Sequence, residues 1–156
     1  MKALDLAKYI LVKAEMLDKP ISNFQLQQIL YIIQKYFLLN DKYAFLEYFY
    51  AWRIGPVIPR VYCEFSYHAG YPIKIAHFTK PLIVLPFMSD FKDAVNVIIE
   101  KCCQLRPVEM QKITCCDAGA WERVYDRGRG LKQEIPYLMI KTEKCKSDII
   151  DIFNIF

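Results

Sequence analysis

The chain has 156 residues, 54% hydrophobic and 15% aromatic, with 21 Lys+Arg against 17 Asp+Glu for a formal charge of +4. A chain of this length buries about two-thirds of the surface its unfolded form exposes, enough for a core without metal or disulfide support. Its 11 Tyr, 10 Phe and 2 Trp exclude a disordered chain, and the mild charge without a basic tail does not by itself point to nucleic acid.

Residues 4–17 predict an amphipathic helix, with Leu4, Ala7, Ile10, Leu11, Ala14 and Leu17 at helical spacing and Asp18, Lys19 and Pro20 to stop it. The next helix carries the strongest signal. Ser22 and Gln25 form an S-x-x-Q capping box, and Ile21 can staple against Leu26. Leu26, Ile29, Leu30, Ile33 and Phe37 continue as one stripe to about Leu39, with Gln27, Gln28, Gln34 and Lys35 on the other face.

After a turn at Asn40 and Asp41, residues 45–53 alternate through Tyr48, Tyr50 and Trp52 and read as a strand or extended segment, which Gly55-Pro56 breaks. Pro59 suits the first turn of a short helix running through Val61, Tyr62 and Phe65 to about Gly70. Residues 71–86, with Pro72, Pro81 and Pro86, predict an irregular segment with one short strand. A helix follows from Ser89 or Asp90 through Phe91, Ala94, Val95, Ile98, Ile99 and Cys102. Shorter ones run from Pro107 to about Thr114 and from about Gly119 to Gly128. Residues 129–136 read as a turn or extended piece. Residues 136–156 read as helical in part, with Ile149, Ile150, Phe153 and Phe156 on one side. The expectation is a single, mainly α (α+β) domain over residues 1–156 with a few short strands, since no repeat or linker marks a second one.

The apolar runs 29–33 and 81–88 fall far short of the ~20 residues of a membrane helix. Asp5, Lys8, Lys13 and Glu15 interrupt the N-terminal apolar pattern, unlike a signal-peptide core. A cytoplasmic protein without membrane contact is therefore expected, with its cysteines as reduced thiols. Cys102-Cys103 and Cys115-Cys116 are adjacent pairs, pointing about 100° apart on a helix, and lack the C-x-x-C geometry that grips zinc. Neither a metal nor a cofactor is expected.

Catalytic signals are poor. His68 and His77 lie in no nucleophile motif, and Cys63 does not stack on His68 at a spacing of five. No phosphate-cradling consensus occurs. The nearest is Arg127-Gly128-Arg129-Gly130 with Lys132, which reads either as an anion-holding turn or as a glycine cap followed by solvated arginines. A helix-turn-helix reading would make Asn23, Gln25, Gln27 and Gln28 base readers, but the apolar stripe and scarce nearby cations favour the core. Trp52-Arg53 before Gly55-Pro56, and Trp121 before the Arg-Gly turn, fit either core anchors or a protein-binding surface, where Trp, Tyr and Arg dominate.

Residues 23–31, NFQLQQILY, and residues 51–62, AWRIGPVIPRVY, resemble the Panacea domain family, which includes phage-associated GepA proteins and SocA-like antitoxins. The second motif, of the form A-W-x-Y-G-P-V-x-P-x-x-Y, is the more specific, with Ile54 where an aromatic is common. A weaker match follows at residues 114–121 and 128–135, with Cys115 in place of a His and Ala120 in place of a Pro. The resemblance implies a helical domain that neutralises a partner toxin, usually encoded next to it, by direct binding; some members are thought to deliver the toxin to a protease. It implies no catalytic residue. The contact residues expected are Trp52, Arg53, Tyr62, Trp121, Arg127 and Arg129, with a nucleic-acid-binding regulator or a small anionic-ligand-binding protein as the alternatives.

Overall fold

The computed structural model describes residues 1–68, 70–75 and 89–144, and they form a mainly α fold with one small sheet. The helices are α1 (Ala3–Met16), α2 (Asn23–Leu39), α3 (Pro59–Glu64), α4 (Ser89–Cys102), α5 (Pro107–Thr114), α6 (Ala120–Tyr125) and α7 (Tyr137–Thr142). The strands are β1 (Phe49–Trp52), β2 (Gly55–Val57) and β3 (Glu134–Ile135), ordered β2-β1-β3 and antiparallel throughout.

Both long helices stop without glycine. Asp18 and Asp41 take left-handed backbone at φ 55° and 56°, and the next amides, Lys19 and Lys42, bond back to the carbonyls of Ala14 and Phe37 at 2.9 Å. Such 6→1 bonds satisfy carbonyls that a helix end leaves open. At its start α2 has the expected box: the Gln25 amide donates to Ser22 Oγ at 3.3 Å, and the Ser22 amide to Gln25 Oε1 at 3.0 Å.

Helix α2 is the axis of the molecule, packed against α1, α4, α5, α7 and β2. It is buried almost all round, including Gln27, Gln28, Gln34 and Lys35, which were expected on an open face. A helix surrounded on all sides must find internal partners for its polar residues, and most of these do. Tyr9 of α1 donates to Asn96 of α4 at 2.7 Å, and Phe37 of α2 stacks on Phe91 of α4 with centroids 4.5 Å apart.

Several boundaries differ from expectation. Of the strand or extended segment expected over 45–53, only Phe49–Trp52 is strand, and Gly55-Pro56 does not end the extended region but begins β2. Pro56 is tolerated because β2 is an edge strand, where a missing amide hydrogen leaves no ladder bond unmade. Gly55 sits at φ +126°, where only glycine is at ease. Helix α3 is followed by a 3-10 turn at Ser66–His68, and α6 by another at Asp126–Gly128. The second turn contains Asp126 and Arg127 at positive φ.

Cys63, Cys102, Cys103 and Cys115 are free, but Cys116 is disulfide-bonded, a correction to the expectation of thiols throughout. Cys145, His77, most of the irregular segment 71–86 and the apolar tail positions Ile149, Ile150, Phe153 and Phe156 lie outside the described residues. Among the described residues no helix is long and apolar enough to cross a membrane.

Candidate functional site

The hairpin β1-β2 turns at Arg53 and Ile54, and the side chains around that turn form a continuous aromatic row. Trp52 packs on Tyr62 of α3 with centroids 5.0 Å apart and planes at 58°. The Trp121 indole Nε1–H donates to the Trp52 carbonyl at 2.9 Å, and its ring stacks on Tyr125 at 4.8 Å and 12°. All four rings are half-buried. The row therefore joins α3, β1 and α6, the two ring pairs being linked through the Trp52 carbonyl, and each of the four residues keeps part of its surface exposed. Lys132 is brought alongside because its amide donates to Ala51 O at 2.7 Å, while the Ala51 amide donates to Gln133 O at 2.8 Å.

Of the six expected contact residues, the structure groups Trp52, Tyr62 and Trp121, with Arg53 exposed at the adjoining turn. Arg127 and Arg129 lie on the turn after α6, both exposed. Arg129 pairs with Asp126 at 2.8 Å, and Arg127 lines a shallow open depression with Glu122, Arg123 and Asp126. Among the described residues, Arg53, Arg60, Arg123, Arg127 and Lys132 have no carboxylate within ion-pair distance. Tyr125 was not anticipated, although it lies four residues after Trp121, the spacing that stacks side chains on a helix.

The turn does not have the form of an anion cradle. The amides of Arg129, Gly130 and Leu131 bond to the carbonyls of Asp126, Tyr125 and Gly128, and that of Gln133 to Gly130 O. These N–H groups are turned inward and engaged, so none converges on a ligand. The base readers of a helix-turn-helix are likewise not free to read bases. Asn23, Gln27 and Gln28 are buried, and Gln25 closes the cap of α2.

Beneath the aromatic row lies a buried ion pair that the sequence did not announce. Lys35 Nζ of α2 meets Glu143 Oε1 at 2.7 Å, with the side chains 5% and 1% exposed. Glu143 Oε2 accepts from Tyr31 Oη at 3.0 Å and from the Ala120 amide, the first of α6, at 2.7 Å. Burial and the nearby carboxylate push the Tyr31 phenol well above its usual range. A Cβ on Gly119 would lie 2.7 Å from Cys116 Sγ and 2.8 Å from Cys116 O, so glycine is what lets the chain pass Cys116 on its way to α6. The signal in the sequence was Lys35, a lysine inside a helix too apolar to have an open side.

Cys115, which stands where the resemblance places a His, is partly buried beside Gly55, its Sγ 3.1 Å from where a Cβ on that glycine would be. Burial pushes its thiol up to about 11, with the hydrogen bond between it and Thr114 opposing and the Glu143 charge reinforcing the shift. It is a thiol at neutral pH, whereas the reactive form is the thiolate.

The chain is 44% identical over 61 residues to the antitoxin SocA of Caulobacter vibrioides (strain NA1000 / CB15N), an alignment that covers 38% of this chain and 32% of that protein. The chain thus matches about a third of the length of the curated relative. No family model matches it, and no solved structure matches it.

Proposed function

We propose that the chain is an antitoxin that neutralises a partner toxin by direct contact, without turnover, and that the toxin docks on the row Trp52, Tyr62, Trp121 and Tyr125. The observation that carries the reading is the identity to SocA over 61 residues. The geometry supplies the surface: amphipathic rings already fixed by mutual packing and by the Trp121 hydrogen bond lose little freedom on binding.

Arg53, Arg123 and Arg127, without a carboxylate partner among the described residues, fit an acidic toxin surface at the edge of the row. The exposed Arg129–Asp126 pair contributes at most about 1 kcal/mol, so Arg129 can exchange that partner for a toxin carboxylate. Association with a phage or mobile element, a neighbouring toxin gene, action in the cytoplasm and onward delivery to a protease belong to the same reading.

Co-expression with the product of each adjacent gene tests it. A stable complex and rescued growth are expected with one neighbour, and Trp52→Ala should weaken that complex by about 2 kcal/mol or more. No complex and no rescue with either neighbour overturns the reading.

A further inference from the structure

We infer that Glu143 is a positioning residue for the docking surface: its buried carboxylate, held by Lys35 and Tyr31 of α2, fixes the first amide of α6 and so aims Trp121 at Trp52. The inference rests on the proposal that the aromatic row binds the toxin, and the test separates the two.

The chain of contacts is short and directional. Lys35 Nζ holds one oxygen at 2.7 Å, which leaves the other to face Tyr31 Oη at 3.0 Å and the Ala120 amide at 2.7 Å. Trp121 follows Ala120 directly, and its indole must reach the Trp52 carbonyl to place its ring beside the hairpin. Helix α6 is only six residues long, and its N-cap Gly119 offers no side-chain cap, so the Glu143 carboxylate is an outside acceptor for one of the amides that the helix start leaves open. The Glu122 carboxylate of α6 takes the Ala118 amide within the same short segment, so the Glu143 bond is the charge-assisted contact that ties the start of α6 to another element, and losing it frees that start to shift. Glu143 itself follows α7, whose Ile140 is fully buried, so the carboxylate is delivered from a packed element.

The Trp121 indole proton reports the geometry without any toxin. In ¹⁵N-labelled full-length protein, Glu143→Ala should exchange that proton about tenfold faster or more while circular dichroism shows the helices intact. Affinity for the binding neighbour should fall about tenfold or more. Glu143→Gln alone presents an amide nitrogen to the Lys35 ammonium, donor against donor, and should show the same losses. Glu143→Gln with Lys35→Met removes that clash, keeps an acceptor for Tyr31 and Ala120, and should restore both readouts to within about threefold of the wild type.

Unchanged indole exchange in folded Glu143→Ala overturns the inference whatever the toxin does, as does faster exchange with unchanged affinity or a double variant that fails to restore. If Glu143→Ala does not fold, Glu143→Gln and the double variant decide the matter by the same criteria. A wild-type chain that binds neither neighbour sinks the antitoxin reading, and indole exchange with its rescue then decides the positioning alone.

Discussion

The interior row of α2 and the surface row around the hairpin are both built from polar and aromatic side chains, yet they do opposite work. On α2, Asn23 donates to Tyr62 O, Gln27 holds the Ile58 amide, Gln34 brackets both amide and carbonyl of Phe45, and Lys35 is locked on Glu143. Each is buried, and together they tie α2 to α3, to its N-cap Ile58, to the segment before β1 and to Glu143 after α7. Around the hairpin the rings are fixed, but Arg53, Arg60, Arg123 and Arg127 have no carboxylate partner among the described residues. A buried polar group without its partner is costly, whereas an exposed cation is solvated and free to meet another molecule. The first row therefore specifies the fold, and the second is what the fold presents.

The largest expected effect breaks the interior row at its charge. Lys35→Met leaves the Glu143 carboxylate buried with only two neutral donors, which should cost about 3–5 kcal/mol. For a chain of this size that lowers the melting temperature by about 6–20 °C, read by calorimetry. A loss under about 1 kcal/mol would mean that water reaches the carboxylate, and the contrast between the rows would fail at its strongest point.

A smaller effect sharpens the contrast with a neutral group. Gln27→Leu removes the acceptor for the Ile58 amide and the donor to Asn23 Oδ1, now 3.0 and 3.2 Å away. The loss should be about 1–3 kcal/mol in urea denaturation, whereas Arg53→Ala on the surface should stay within about 0.5 kcal/mol. Equal losses from the two would erase the distinction.

Much of the architecture was legible because its causes are local. The capping box at Ser22, Pro59 opening α3 and the apolar spacing of α4 each act within a few residues, and each is found where the pattern put it. Pro56 misled because its effect depends on whether a neighbouring strand needs the amide, and sheet order is not written in the dipeptide. Trp52, Tyr62 and Trp121 were legible as residue types, but the hydrogen bond joining Trp121 to Trp52 spans 69 positions. Glu143 had no signal of its own, since its partner Lys35 lies 108 residues away. The glutamines were placed on an open face because α2 was read as amphipathic, when in fact helices, α5 and α7 among them, close that side as well.

Gln28 is the exception that tests the comparison most finely. It is 2% exposed, one residue from Gln27, and neither its Nε2 nor its Oε1 has a hydrogen-bond partner among the described residues. It lies on the same face as Tyr31 and Lys35, three and seven positions on, so it continues the interior row without sharing in the bonds. An amide buried in this way carries its desolvation cost with nothing to offset it. Gln28→Met, close in volume and without polar atoms to satisfy, should raise stability by about 1 kcal/mol, opposite in sign to Gln27→Leu. The measurement is the urea midpoint at unchanged slope. A fall of similar size instead would mean that an ordered water bonds the amide in solution, and Gln28 would then join its neighbours as a bonded member of the row.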